Sequence, residues 1–231
     1  MNARERLIVA LDLPETVQAR AMVDRLAGHV GMFKVGPELF TAGGPDLVRE
    51  LVGRGEKVFL DLKYHDIPNT VAGAVNSACR LGVSLLDVHA LGGREMLEAA
   101  VGALPAMGIR LLAITVLTSH RDETLAGIGL AGPVPDAARR LAVLAREAGA
   151  DGVVASPHEV ALVREACGRD FLIVTPGIRP AGSAKGDQAR SATPAAARAA
   201  GADYIVVGRP ILEASDPAAA ADAIVRDLSG A

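Results

Sequence analysis

The chain has 231 residues, 50% of them hydrophobic, and carries a formal net charge of −3 at pH 7. This length fits one large domain with a sizeable core, and the weakly acidic balance excludes the general attraction that draws basic proteins to nucleic acid or anionic membranes. The first apolar run is too short for a signal sequence or a membrane span, and the two cysteines have no partner at metal-binding spacing. We therefore expect a cytoplasmic protein with free thiols.

Short runs rich in aliphatic and β-branched residues recur along the chain, and segments with helical apolar spacing lie between them. The runs begin at Leu7, Met32, Lys57, Leu85, Leu111, Gly152, Phe171 and Tyr204. Their near-continuous apolar character is typical of parallel strands covered on both sides. Eight such units in this length predict an α/β fold, a (β/α)8 barrel that forms one domain over residues 1–231. An open doubly wound sheet is the alternative, but it usually has fewer strands, and no GxGxxG follows the first run.

Two connections are longer than their neighbours, TSHRDETLAGIGLAGPVPD after the fifth strand and RPAGSAKGDQARSATP after the seventh. Both would lie on the same side of a barrel. Because long connections in a compact domain are often functional, we expect lids over a site there.

Ionisable residues stand where the first three strands end. Since side chains alternate faces along a strand, Asp12, Lys34, Asp61 and Lys63 should point into the barrel at the mouth where barrel enzymes hold their chemistry. Buried charges are costly unless paired, so amines that alternate with carboxylates are the arrangement electrostatics permits. Only four of the 24 basic residues are Lys, which suggests that these positions need an ammonium able to give up a proton. The alternative is a purely structural ion-pair layer.

A second group of residues follows the last two strands, in TPGIRP and VVGRPI. Gly177 and Gly208 permit a close backbone approach, and Arg179 and Arg209 supply planar forks for phosphate oxygens. Loops after strands seven and eight often bind phosphate in barrels, although tight turns with solvated arginines would look the same. His89 should point inward on strand four, either into a pocket or as a hydrogen-bonded core residue.

The segment that leads from the third strand into its loop, DLKYHDIPNT, resembles the signature of the orotidine 5′-phosphate decarboxylase family. That signature is an apolar strand followed by D-x-K-x-x-D-I-P-x-T. The resemblance covers essentially the whole chain and includes Asp12 in VALDL, Lys34 in FKVG, Thr118 in VLTS, Arg179 in PGIRP, Gln188 in GDQAR and the closing VVGRPI.

The resemblance implies an enzyme without metal or cofactor that decarboxylates orotidine 5′-phosphate to UMP in pyrimidine biosynthesis. It implies a homodimer in which Asp66 and Thr70 reach into the neighbouring active site. Lys63 would be the proton donor, in a network with Lys34, Asp61 and the neighbour's Asp66. The other matched residues would bind substrate: Asp12 and Lys34 at the ribose, Thr118 and Gln188 around the pyrimidine and phosphate, and Arg179, Gly208 and Arg209 at the phosphate.

Three other functions stay open. A metal-dependent relative that acts on keto-sugar phosphates shares D-x-K-x-x-D, although the IPNT continuation favours the nucleotide enzyme, as does Lys34, where a metal site would want another carboxylate. A Schiff-base aldolase would use Lys63 as nucleophile, but that role needs a neutral amine, which flanking acids oppose. A non-catalytic phosphate-binding barrel is the third possibility.

Overall fold

Eight parallel strands close in chain order into a barrel, which confirms the predicted fold class. The computed structural model describes residues 1–106, 108–180 and 191–230. The strands are β1 Leu7–Ala10, β2 Met32–Val35, β3 Val58–Tyr64, β4 Leu85–His89, β5 Arg110–Ile114, β6 Gly152–Val154, β7 Leu172–Thr175 and β8 Tyr204–Val207. The barrel closes where β1 pairs with β8, with Ile8 opposite Val206.

The two faces of the strands form two separate apolar clusters, because alternate side chains point in opposite directions. The outer cluster packs against the helices and contains residues such as Phe33 and Leu60. The inner cluster fills the barrel and consists of Ile8, Ala10, Met32, Phe59, Leu85, Leu112, Val174 and Val206. One alternation further along the first four strands, the inward residues are Asp12, Lys34, Asp61 and Asp87. The apolar filling therefore gives way to ionisable residues toward the carboxyl ends.

Helices surround the barrel: α1 Thr16–Leu26, α2 Pro37–Gly53, α3 Pro68–Cys79, α4 Gly93–Gly102, α5 Asp122–Gly127, α6 Val134–Glu147, α7 Val160–Cys167, α8 Pro194–Ala200, α9 Arg209–Leu212 and α10 Pro217–Ser229. Short 3-10 helices cover Arg4–Arg6 and Ala90–Gly92. Proline in the first turn pre-sets the backbone of α3, α8 and α10, and side chains at residues 193 and 216 cap α8 and α10.

Short helices follow two of the strands at the carboxyl end of the barrel. The connection after β5 contains α5, and α9 begins directly after β8. Most of the expected lid after β7, residues 181–190, lies outside the described residues. Across the described part of the chain, no helix has both the length and the apolar character that crossing a membrane requires.

Candidate active site

A cavity of about 250 Å³ opens at the carboxyl ends of the strands. Its base is apolar and contains Ala10, Phe59 and Val206. The polar residues that line it include most of those selected from the sequence: Asp12, Lys34, Asp61, Lys63, Thr118, Arg179 and Arg209, with Gly177 and Gly208 beside them. The structure therefore brings these residues together at one end of the barrel.

Four of these residues form one chain of ion pairs. The Lys34 Nζ atom lies 3.1 Å from Asp12 Oδ1 and 3.2 Å from Asp61 Oδ2. The Lys63 Nζ atom pairs with the other oxygen of Asp61, so this one carboxylate bridges two ammonium groups. Asp61 and Lys34 are nearly buried, with side chains 10% and 12% exposed, whereas the Asp12 side chain at 59% reaches solvent. The array therefore runs from open water into a shielded interior.

Charge pairing outweighs burial at the inner end of this array. Burial alone would raise the pKa of Asp61, but Lys34, a hydrogen bond from Asp87 and then Lys63 lower it to about 2. Burial would likewise lower the pKa of Lys34, but the carboxylates of Asp61 and Asp12 raise it above its usual value. Asp61 is consequently an anion and Lys34 a cation at neutral pH.

The backbone at Lys63 is unusual. Pairing between β3 and β4 shifts register between Leu60 and Tyr64, and Lys63 has a φ of 50°, the one positive φ at a non-glycine position in the described residues. Its N–H donates to Asp87 Oδ1 at 2.8 Å. A left-handed conformation costs a residue with a Cβ some free energy, so the surrounding contacts must stabilise it. Asp87 is one of those contacts.

Sequence reasoning missed Asp87 and Ser156, which the same alternation rule would have found. Asp87 is fully buried on β4, two residues before His89. Burial, and then the Asp61 carboxylate, raise its pKa well above the usual range. Ser156 is also fully buried and lines the cavity just beyond β6. Its hydroxyl accepts the His158 N–H at 3.3 Å.

The arginines and glycines lie where the sequence predicts a phosphate site. Gly177 has a φ of 76°, in the left-handed region that favours glycine. The Arg179 N–H donates to the Ala192 carbonyl at 2.9 Å, which ties the segment after β7 to the start of α8. Arg209 is exposed at the first residue of α9. Gln188, the remaining residue of the predicted substrate site, lies outside the described residues.

Asp66 and Thr70 are not brought to the cavity of their own chain. Both are exposed, Asp66 in the turn between β3 and α3 and Thr70 in the first turn of α3, and neither is among the described residues that line the cavity. Asp66 Oδ1 accepts the backbone N–H of Ile67, the next residue in the turn, at 2.6 Å. Ile67 itself is a large apolar residue that is 67% exposed. In the single chain, this segment is therefore exposed to solvent.

His89 is the hydrogen-bonded residue rather than a pocket residue. It is absent from the described lining, and its Nδ1 accepts the Leu91 N–H at 3.3 Å. Its ring stacks on His65 with centroids 5.4 Å apart. Burial, then the neighbouring His65 ring and the Lys63 amine, lower the pKa of His89 to about 4, so the ring is neutral at pH 7.

The wall opposite the charges is apolar. Ile114, Val116, Pro176 and Ile178 line it beside Ser156. One side of the cavity can therefore hold charged or hydroxylated groups, the arginine edge can hold an anion, and the apolar side can accept a flat ring.

Comparison of the sequence with known proteins identifies one family. The family model described as "Orotidine 5'-phosphate decarboxylase / HUMPS family" matches residues 5–224. A protein of Halorhodospira halophila named orotidine 5'-phosphate decarboxylase is 58% identical over 228 residues, which cover 98% of this chain and 97% of the relative. One of the same name from Moorella thermoacetica is 53% identical, with coverage of 99% and 94%.

A solved structure of the same family is similar to this chain in both sequence and fold. The crystal structure of orotidine 5'-phosphate decarboxylase from Lactobacillus acidophilus is 43% identical and superimposes with a TM-score of 0.86, over 96% of this chain and 98% of that one. With a family model over nearly the whole length and relatives above 50% identity, the chain belongs to the orotidine 5′-phosphate decarboxylase / HUMPS family.

Proposed function

We propose that the chain converts orotidine 5′-phosphate to UMP and CO2 in pyrimidine biosynthesis, without a metal or cofactor. The names of its relatives support this reaction. The observation that carries the proposal is the Asp61 carboxylate, which bridges the ammonium groups of Lys34 and Lys63 beside a cavity with an apolar wall.

The chemistry needs a cation next to the reacting carbon. Loss of CO2 breaks the bond between C6 and the carboxylate carbon and leaves the electron pair on C6, where no adjacent carbonyl can delocalise it. A preorganised Lys63 ammonium stabilises this charge as it develops and then transfers a proton to C6. Asp61 holds Lys63 in position, and its anionic charge lies where the substrate carboxylate would be repelled.

The remaining residues would bind the nucleotide away from C6. We assign Asp12 and Lys34 to the ribose, and Thr118 with Gln188 to the pyrimidine and phosphate region. Arg179, Gly208 and Arg209 would hold the phosphate, which matches their shared edge of the cavity. Binding energy from this remote group would then position the ring for reaction.

We further propose that residues 1–231 form one catalytic domain that works as a homodimer in the cytoplasm. In the dimer, Asp66 and Thr70 would complete the site of the neighbouring subunit. Their exposure, and their position outside the cavity of their own chain, support this assignment. The free thiols Cys79 and Cys167 fit a reducing compartment.

A metal-dependent reaction on keto-sugar phosphates is the second candidate, because the matched family includes a second group besides the decarboxylases. The position of Lys34 disfavours it: an ammonium 3.2 Å from Asp61 Oδ2 occupies the place where a divalent cation would need another oxygen ligand.

One assay separates the candidates. Purified protein should deplete the absorbance of orotidine 5′-phosphate at the same rate with and without EDTA. Strict Mg²⁺ dependence, or turnover of a keto-sugar phosphate alone, would replace the proposal by the second candidate. Tight binding of UMP without release of CO2 would indicate a binding protein, and a borohydride-trapped adduct on Lys63 would indicate an aldolase.

A further inference from the structure

The carboxyl group of Asp87 lies directly behind the ion-pair array, where the proposed mechanism gives it no role. The residue is 0% exposed. Oδ1 accepts the Lys63 N–H, while Oδ2 receives no hydrogen bond from any N–H or O–H donor in the described residues. The Asp61 carboxyl lies within hydrogen-bonding reach of the Asp87 carboxyl. A buried oxygen without a donor is costly, so this atom needs an explanation.

No cation of the described residues forms an ion pair with Asp87. From β3 it is faced by Asp61, Lys63 and the phenol of Tyr64. The Lys63 ammonium is paired with Asp61 rather than with Asp87. On β5 its pairing partner is the apolar Leu112. Two adjacent carboxylates cannot both stay ionised at low cost in such a site, and they commonly share one proton.

A proton on Asp87 would give both of its carboxyl oxygens a hydrogen-bond partner. The O–H of a neutral acid would donate to Asp61, while its other oxygen continues to accept the Lys63 N–H. Asp61 is the member that stays ionised because it has the two ammonium partners. The raised pKa of Asp87 and the lowered pKa of Asp61 agree with this division.

We propose that Asp87 is a positioning residue for the decarboxylation: as a neutral carboxylic acid it donates to Asp61 and accepts from the Lys63 backbone, and so fixes the two groups relative to each other. The left-handed φ of Lys63 and the register shift in β3 are the local distortions that this contact holds. The catalytic part of the inference rests on the proposed function, whereas the neutral state of Asp87 does not.

Substitutions separate the roles of hydrogen bonding and charge. Asp87→Asn keeps an acceptor for Lys63 and an N–H donor for Asp61, so kcat should stay within about threefold of wild type. Asp87→Ala removes both contacts and should lower kcat about 30- to 100-fold, with KM changed much less. Thr175→Val is the matched control, since Thr175 is equally buried on another strand and its hydroxyl has no partner in the described residues. It should leave kcat unchanged.

Two kinetic outcomes would overturn the assignment. If Asp87→Asn loses as much activity as Asp87→Ala, the negative charge is required and the neutral acid is wrong. If Asp87→Ala keeps the wild-type kcat, Asp87 positions nothing.

The protonation state can be measured without any turnover. A group that is neutral when folded but ionised when unfolded makes unfolding more favourable as the pH rises above the ordinary aspartate pKa. The ratio of the unfolding equilibrium constants, wild type over Asp87→Asn, should therefore rise about tenfold per pH unit above about pH 4 until the folded group titrates. A ratio independent of pH would show that Asp87 is ionised in the fold. A rising ratio in a protein that does not decarboxylate orotidine 5′-phosphate would refute the proposed function while leaving the neutral acid intact.

Discussion

The two ends of the barrel both carry acid–base clusters, but their charges are used differently. At the amino end, before β8, Asp203 Oδ2 accepts the Ile173 N–H at 2.8 Å and the Arg164 guanidinium at 2.6 Å. Arg164 also donates to the carbonyls of Gly168 and Phe171. These charges satisfy main-chain groups where strands and helices meet, and they stabilise the fold.

At the carboxyl end, the charges bind one another and line a cavity. The ammonium groups of Lys34 and Lys63 bond side-chain carboxylates in the described residues rather than carbonyls. Asp87 combines both patterns, since it accepts from the backbone of Lys63 and lies against Asp61. The partners of a charge, more than its presence, therefore distinguish a site for chemistry from a cluster that stabilises the fold.

The largest effect on kcat should come from removal of the Lys63 ammonium, which lies at the carboxyl ends of the strands. Lys63→Ala should lower kcat by about 10⁴-fold or more, because both proton donation and charge stabilisation are lost. The binding of UMP, measured by calorimetry, should persist in some degree. Lys57→Ala is the matched control: the same residue type stands exposed just before the amino end of β3 and should have no effect on kcat. If both variants lost kcat to a comparable extent, the two ends of the barrel would not differ in their role in the reaction.

The shared site gives the next largest effect. Asp66→Ala should lower kcat by roughly 10²-fold, since in the proposed dimer this variant removes a charge that would orient Lys63 of the neighbouring subunit. Mixing equal amounts of Asp66→Ala and Lys63→Ala proteins under subunit exchange should restore about a quarter of the wild-type activity, because half of the dimers contain one intact site. Activity that stays at the level of the separate variants would contradict the exchange of Asp66 between subunits.

A substitution in the proposed phosphate site should weaken substrate binding more than it lowers kcat. Arg209→Ala should raise KM for orotidine 5′-phosphate about 10- to 100-fold, the value expected for one charged hydrogen bond, with a smaller change in kcat. Arg169→Ala removes an exposed arginine just before β7 at the opposite end and should change neither constant. An unchanged KM in Arg209→Ala would remove this residue from the phosphate site.

The mouth was predictable because strand alternation has a fixed period of two. Knowing that Asp61 follows an inward Phe59 is enough to direct it into the barrel, and the same holds for Asp12 and Lys34. Asp87 obeys the same rule, since it lies two residues after the inward Leu85 on β4, outside the signature segment of β3.

Other features depend on contacts that local sequence does not encode. The positive φ of Lys63 arises where β3 shifts register against β4, a tertiary effect. The helices α5 and α9, of six and four residues, are too short to be stable by propensity and form only in the folded context. The position of Asp66 relative to a partner involves a second chain and cannot follow from periodicity in one.

The smallest effect on activity should come from loss of the ion pair between Asp203 and Arg164 at the amino end of the barrel. Asp203→Ala removes the acceptor of the Ile173 N–H and the carboxylate that pairs with Arg164, which should lower the free energy of unfolding by about 1–3 kcal/mol. Urea denaturation measures this loss, and kcat at a temperature where the variant is fully folded should equal that of wild type. The residue lies at the opposite end of β8 from Gly208, so a fall in kcat without a fall in stability would mean that charges at the amino end also act on the site. Equal kcat with reduced stability would instead separate the two ends, because the same ion-pair chemistry would then serve the fold at one end and the reaction at the other.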